Sequence, residues 1–263
     1  MLPLATKLEG PQNAPILCFL HGWPDNSDLW QGQIQEFNKD FRCLRVELPN
    51  FGDTKHPFYS FDEIVKMIII TIENTLEDEG QGKLTLVGHD WGAFLAYQIE
   101  AKRPDLISRM TTMDVGAVLK PETIWQTLAI VSYQWTLIGA FYIGKISPFL
   151  GNSISKLVAS IARSPKQSKP NWRMNYLYIN YWSHLLRKRP LTRKKVPDSP
   201  LLYLYGCRKP FMFHMKFWLE KVKLQNSCNR IIPMKHSGHW LMLDEARLVN
   251  SAIRQWLELN TVY

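Results

Sequence analysis

The sequence predicts an α/β fold, a mostly parallel sheet flanked by helices and interrupted once by a helical insertion. Three observations predict it. Short apolar runs alternate with longer stretches of helical period, the rhythm of strands and crossover helices. Several of those runs end in glycine- and proline-bearing turns, one of which leads straight into helix-forming residues. From residue 117 to 196 the alternation stops, and the chain is mostly helical in character.

Residues 16–20 read as a buried strand running into His21-Gly22-Trp23-Pro24, and residues 44–48 as a second, ended by Pro49-Asn50-Phe51-Gly52. Ser60 with Glu63 has the form of a capping box and opens an apolar-periodic helix to about Glu77, before Gly80. A strand at 84–87 is followed by Gly88-His89-Asp90-Trp91-Gly92 and a helix that should run to Pro104. Residues 107–113 form the next strand. After the insertion come a strand at 201–205, a helix near 211–224, a strand at 230–233 and a last helix at about 244–259.

Of 263 residues, 46% are apolar and 21% charged, which supports one large domain with a core and excludes wholesale disorder. The four cysteines, Cys18, Cys43, Cys207 and Cys228, have no C-x-x-C spacing, so reduced thiols and no zinc site are expected. The N-terminal residues lack a basic start followed by a long apolar core. An intracellular, cytoplasmic location is the expectation, with no cofactor.

The net charge is +9, and its placement matters more than its size. Residues 118–197 hold thirteen Lys or Arg and one acid, Glu122, a net of +12 that leaves −3 for the remainder. Residues 187–195 alone carry six basic side chains. A solvated loop is the simplest reading of that run, and an anionic membrane surface the second. No nucleic-acid-binding module accompanies it, so nucleic acid is not an expected partner. Residues 124–144 contain no charge and satisfy a membrane-spanning length. Polar side chains dilute the stretch, so helices covering an apolar site are the better reading.

In Gly88-His89-Asp90-Trp91-Gly92 two glycines flank a central aspartate, the small-x-nucleophile-x-small arrangement of a nucleophile elbow. A carboxylate is already ionised at neutral pH and needs no base to activate it. It suits displacement at a saturated carbon. Hydrolysing the resulting alkyl ester then requires a base and an oxyanion hole.

His21-Gly22-Trp23-Pro24, Gly88-His89-Asp90-Trp91-Gly92 and Ser237-Gly238-His239-Trp240 resemble, in order and spacing, the epoxide hydrolases and haloalkane dehalogenases of the α/β-hydrolase family. The resemblance spans nearly the whole chain. It implies an eight-stranded sheet with a helical cap after the sixth strand, with residues 1–116 and 197–263 as the core and 117–196 as the cap. It makes Asp90 the nucleophile and His239 the base, with the Trp23 and Trp91 backbone N–H groups as the oxyanion hole. His236 matches no motif position.

The family often places the triad acid as Gly-x-x-Asp after the following strand, but Gly206-Cys207-Arg208-Lys209 puts a lysine there. A cation cannot orient the histidine or stabilise its imidazolium. Asp114, in Thr112-Met113-Asp114-Val115, matches the alternative site that some dehalogenases use, and is the expected acid. Epoxide opening also needs proton donors for the leaving oxygen. Family resemblance points to Tyr133 in Tyr133-Gln134 and, with the aromatic order reversed in Asn180-Tyr181-Trp182, to Tyr181; Tyr176 and Tyr178 are spares. Trp23, Trp91, Trp135 and Trp182 are expected to bind a hydrophobic small-molecule substrate.

Two alternatives stay open. A haloalkane dehalogenase would use the same triad, with Trp91 and a second donor such as Trp125, Trp135 or Trp172 binding halide. A non-catalytic protein that binds a hydrophobic ligand or a membrane would explain Lys209. The oligomeric state is open too.

Overall fold

In the computed structural model, which describes residues 1–52, 55–118, 123–187, 196–210 and 212–259, the apolar runs become strands. The first half of the chain runs β1 (Thr6–Glu9), β2 (Ile16–Leu20), α1 (Gln31–Phe37), β3 (Arg42–Val46), α2 (Phe61–Asp78), β4 (Leu84–His89), α3 (Trp91–Lys102) and β5 (Ile107–Met113). Three helices follow, α4 (Ile124–Ile146), α5 (Pro148–Ile161) and α6 (Tyr176–Leu186). The chain then returns through β6 (Leu201–Gly206), α7 (Lys216–Gln225), β7 (Arg230–Met234), α8 (Leu241–Asp244) and α9 (Ala246–Leu259).

The sheet has the order β1-β3-β2-β4-β5-β6-β7, with β1 antiparallel on β3 and every other pair parallel. It has seven strands among the described residues, one fewer than the family resemblance implied, because residues 1–5 add no strand outside β1. The helical segment accordingly follows the fifth strand. Its expected edges at 117 and 196 border residues 119–122 and 188–195, which lie outside the described residues, as does most of the basic run 187–195.

Helices cover both faces of the sheet, as continuous apolar strands require. One core layer joins α2, α3 and Trp218 of α7, and it continues into the inserted helices through Leu137, Phe141, Leu177 and Tyr178. The other packs α1 and α9 through Trp30, Ile34, Phe37, Ile253 and Trp256. At β2 the strand order reverses, with β3 on one side and β4 on the other. That reversal opens a crevice beyond the carboxyl ends of β2 and β4.

Local sequence signals explain the element ends. The Ser60 hydroxyl accepts from the Glu63 N–H while the Glu63 carboxylate accepts from the Ser60 N–H at 2.7 Å, the reciprocal cap that starts α2. Pro148 starts α5 at a position where no N–H is needed. The helix expected from residue 211 begins only at Lys216, because the Phe213 carbonyl accepts the Gly116 N–H at 2.9 Å beside a Val115–Phe213 bridge. Long-range pairing there outweighs local helix propensity.

The inserted helices are tied down onto the loops around the crevice. The Trp23 indole donates to Asn175 Oδ1 at 3.0 Å, the Tyr176 hydroxyl to the Pro49 carbonyl at 3.3 Å, and the Asn180 amide to the Tyr59 carbonyl at 2.7 Å. Chain re-entry to the sheet is held by the buried Glu100, whose Oε1 accepts the Asp198 and Ser199 N–H groups at 2.9 and 3.0 Å.

Candidate active site

The crevice gathers side chains from well-separated places in the chain. Asp90 sits between β4 and α3 with φ +53° and ψ −122°, a backbone conformation that an aspartate adopts only when its surroundings hold it there. The flanking glycines make the turn possible. A Cβ on Gly88 would lie 2.7 Å from the Gly92 carbonyl oxygen, and one on Gly92 would be driven into the carbonyls of Leu20 and His21. The strained turn lifts the Asp90 carboxylate into the crevice.

Asp90 Oδ1 accepts the Trp23 backbone N–H at 2.7 Å, and the Trp91 N–H also stabilises the carboxylate. Asp90 Oδ2 faces His239 Nε2 at 3.6 Å. On the far side of the imidazole, His239 Nδ1 and Asp114 Oδ2 are 2.5 Å apart. Aspartate, histidine and aspartate therefore form one connected line, with the Trp23 and Trp91 N–H groups on the first member.

Electrostatics set the protonation of this line. Burial alone would raise the pKa of Asp90 and of Asp114, but their cationic and hydrogen-bonding neighbours overcome it and leave both lowered. For Asp114 those neighbours are Lys209 and His239. His239 lies between the two carboxylates. Burial disfavours its charge, yet Asp114 and then Asp90 raise it from 6.5 to about 9, so the imidazolium prevails at neutral pH.

Lys209, found where the family commonly has its acid, does not displace Asp114. Its ammonium is almost wholly buried and pairs with Asp114 Oδ1, which also accepts the Gly206 N–H at 3.1 Å. The cation acts on the acid, not on the histidine. Asp114 itself is fully buried, with φ +67° at the end of β5.

His89 is a neighbour that sequence reasoning passed over. Burial first, and the nearby His239 charge second, push its pKa down to about 3. The neutral ring lies 2.9 Å from the His239 carbonyl through Nε2, so that nitrogen carries the proton. The loop is held further by Asp244, which accepts the Gly238 N–H at 2.8 Å, and by Glu245, which accepts the Ser237 hydroxyl at 2.5 Å. His236 contacts Arg208 on the surface, away from this line.

Two cavities meet at Asp90. One of about 190 Å³ is lined by Asp90, Trp91, Phe94, Tyr133, Tyr181 and Trp182, among others. The second, of about 490 Å³, reaches Trp23, Asp90, Tyr133, His239 and Trp240. Tyr133 and Tyr178 line both. The Tyr133 oxygen accepts an N–H from Gln134 at 3.2 Å, which leaves its own proton free to donate. Burial raises the pKa of both phenols, and the negative charge on Asp90 raises them further. They stay protonated.

Tyr181 also faces the smaller cavity, but Tyr178, one turn earlier on the same face of α6, is the phenol that senses the Asp90 charge. The i, i+3 spacing was the available signal, and the reversed aromatic order obscured it. Trp135 is a correction. It lines neither cavity and stands half exposed against Trp182 on the outer face of α4, because Tyr133 and Gln134 take the inward positions. Trp23, Trp91 and Trp182 do lie on cavity walls.

Comparison with known proteins agrees with the fold. Residues 15–246 match the model of the alpha/beta hydrolase fold family. The chain is similar to epoxide hydrolase 4 of Mus musculus, 23% identical over 96% of this chain and 75% of that protein. It is similar to a haloalkane dehalogenase of Bradyrhizobium diazoefficiens, 30% identical over 47% of this chain and 38% of that protein. A Bacillus megaterium epoxide hydrolase solved with an inhibitor superposes with a TM-score of 0.69 at 18% identity, covering 97% of this chain and 96% of that one. With a family match across most of its length and the sheet and elbow described above, the chain belongs to the α/β-hydrolase fold family.

Proposed function

We propose that the protein is a hydrolase that opens a hydrophobic epoxide to a diol through an alkyl ester on Asp90. The observation that carries this reading is the ionised Asp90 carboxylate, anchored through Oδ1 with Oδ2 facing His239, beneath the protonated phenols of Tyr133 and Tyr178.

In the first step Asp90 Oδ2 attacks an epoxide carbon and forms a C–O bond. The ring C–O bond breaks, and the departing oxygen takes a proton from Tyr133 or Tyr178. Protonation is needed because a free alkoxide is strongly basic. In the second step His239 takes a proton from water, whose oxygen adds to the Asp90 ester carbonyl. The resulting oxyanion is stabilised by the Trp23 and Trp91 N–H groups. Collapse breaks the acyl C–O bond, the departing oxygen takes the remaining proton of the added water, and the diol leaves with Asp90 ionised again. Losing one such donor costs about 10²–10³ in rate.

The protonation of His239 fits this order. In the free enzyme the imidazolium and Asp90 carboxylate stabilise each other, and the carboxylate does the attacking. Esterification removes the Asp90 charge, one of the two that hold His239 protonated. The imidazole then yields its proton more readily, to the phenolate left by ring opening, and becomes a base when the ester exists.

A dehalogenase would instead need two N–H donors facing a departing halide. The Trp23 indole is bonded to Asn175 and the Trp182 indole to Gln134 Oε1 at 2.9 Å. Trp125, Trp135 and Trp172 line neither cavity. The Trp91 indole lines the smaller cavity beside Asp90 and is available as one donor, but the second donor is missing from these candidates, which favours the epoxide. As for loss of activity, Lys209 pairs with the acid instead of replacing it, which supports a working enzyme.

A single turnover in ¹⁸O-water tests the reading with an aryl epoxide and a bromoalkane side by side. We expect diol formation and label in the Asp90 carboxylate, both abolished in Asp90→Ala. Halide release without diol, or diol formation surviving in Asp90→Ala, would overturn it.

A further inference from the structure

The 23-residue helix α4 leaves one face largely exposed. Trp125, Leu128, Trp135, Tyr142 and Ile146 are exposed, Ile146 by 90% and Trp125 by 77%. At ~100° per residue these five fall within an arc of about 100°, on a helix about 34 Å long. The stripe carries no charge, since Lys145 lies to its side over the Phe141 ring at 4.7 Å. Beside it α5 exposes Phe149, Leu157 and Ile161. An apolar surface this continuous needs a partner.

Three features identify the partner. Among the described residues 123–187 there is no acid, while Lys156, Arg163, Lys166, Lys169 and Arg187 of the same segment are exposed. A basic, acid-free segment that also exposes an apolar face complements anionic headgroups above acyl chains. Trp125, Trp135 and Tyr142 are the side chains favoured at the boundary between lipid and water. The larger cavity is also lined by Ser132, Thr136, Leu157 and Ile161, so it extends from this same surface to Asp90 and His239.

Crossing a bilayer is excluded by the opposite face of α4. Leu137, Ile138, Ala140 and Phe141 are buried in the protein core. Gly144 and Gly151 bring α4 and α5 into backbone contact, where a Cβ on Gly151 would lie 2.5 Å from the Gly144 Cα. The pair is a fixed hairpin that can lie on a membrane only in its plane.

We propose that the α4–α5 surface docks on an anionic lipid bilayer and that the larger cavity draws its apolar substrate from the lipid. The docking is independent of the chemistry assigned to Asp90, whereas the substrate route rests on it.

The test is sedimentation of the full chain with phosphatidylcholine vesicles, with and without 30% phosphatidylserine, in low and high salt. We expect binding at least tenfold tighter with phosphatidylserine, weakened at least tenfold by salt. The double variant Trp125→Ser, Ile146→Ser should lose at least tenfold in vesicle binding while keeping the parent's melting temperature and its rate on a water-dissolved epoxide. Equal vesicle binding by parent and variant, or none by the parent, would overturn the docking. So would a concentration-dependent dimer that the variant abolishes without any vesicle binding, which would assign the face to a second copy. Vesicle binding by a chain that turns over no epoxide would leave docking standing and remove the substrate route.

Discussion

Replacing Lys209 by Met isolates the effect of a cation on the aspartate paired with His239. The substitution keeps the length of the buried side chain and removes the ammonium from Asp114 Oδ1. Asp114 is fully buried and would retain His239 at 2.5 Å and the Gly206 N–H at 3.1 Å. Removing one partner of a buried pair costs about 3–5 kcal/mol. Because a second cation remains, we expect the lower end, about 3 kcal/mol in urea unfolding. The functional consequence is separate. Lys209 cancels part of the Asp114 field at His239, and without it the imidazole should hold its proton to higher pH, by about 1–2 pH units. Ester hydrolysis needs neutral imidazole, so at pH 7 it should slow about ten- to a hundredfold and recover as pH rises. Stopped-flow decay of the ester between pH 6 and 10 measures this limb, and Lys209→Arg should restore the parent profile. A loss of stability with the limb unmoved would mean that Lys209 only fills space, and the electrostatic reasoning would be wrong.

Other expectations follow from the same geometry. Asp114→Asn should slow ester hydrolysis about 10³-fold or more while leaving alkylation nearly intact, so the ester on Asp90 accumulates and is seen by intact-mass spectrometry; an unchanged hydrolysis rate would show that another acid serves. Tyr178→Phe should slow alkylation about 10²-fold in a pre-steady-state burst, and Tyr181→Phe far less; the reverse order would return the role to Tyr181. Since folding raises His239 from 6.5 to about 9, its contribution is fully present below about pH 6.5 and is lost as pH rises through about 9. That contribution is worth about 3 kcal/mol. Urea unfolding at pH 6 and pH 9.5 should therefore show a larger fall for the parent than for His239→Gln, and equal falls would refute the raised value.

How much was legible in the sequence depended on whether the cause was local. Strand β2 begins and ends where its apolar run does, and the Ser60–Glu63 box marks the start of α2, because hydrophobic runs and capping chemistry act over a few residues. The elbow at Asp90 could be read from Gly88 and Gly92, since the need for two residues without a Cβ is built into the turn itself. The strand expected at 44–48 is displaced and is β3. It spans Arg42–Val46, leaving Leu48 buried but outside it, with its N–H donated to His21 Nε2 at 3.0 Å.

By itself the sequence determined the alternation of strands and helices, the elbow, the position of His239 before the final helices, and the concentration of positive charge in one segment. Each follows from residue type and short spacing. Tertiary structure alone decided that Lys209 reaches Asp114 across 95 residues of chain, that Tyr178 and not only Tyr181 looks onto Asp90, and that Trp135 faces outward. These depend on which side of a helix or loop meets a distant segment. One helical step of about 100° changes that answer while leaving the local pattern almost unaltered.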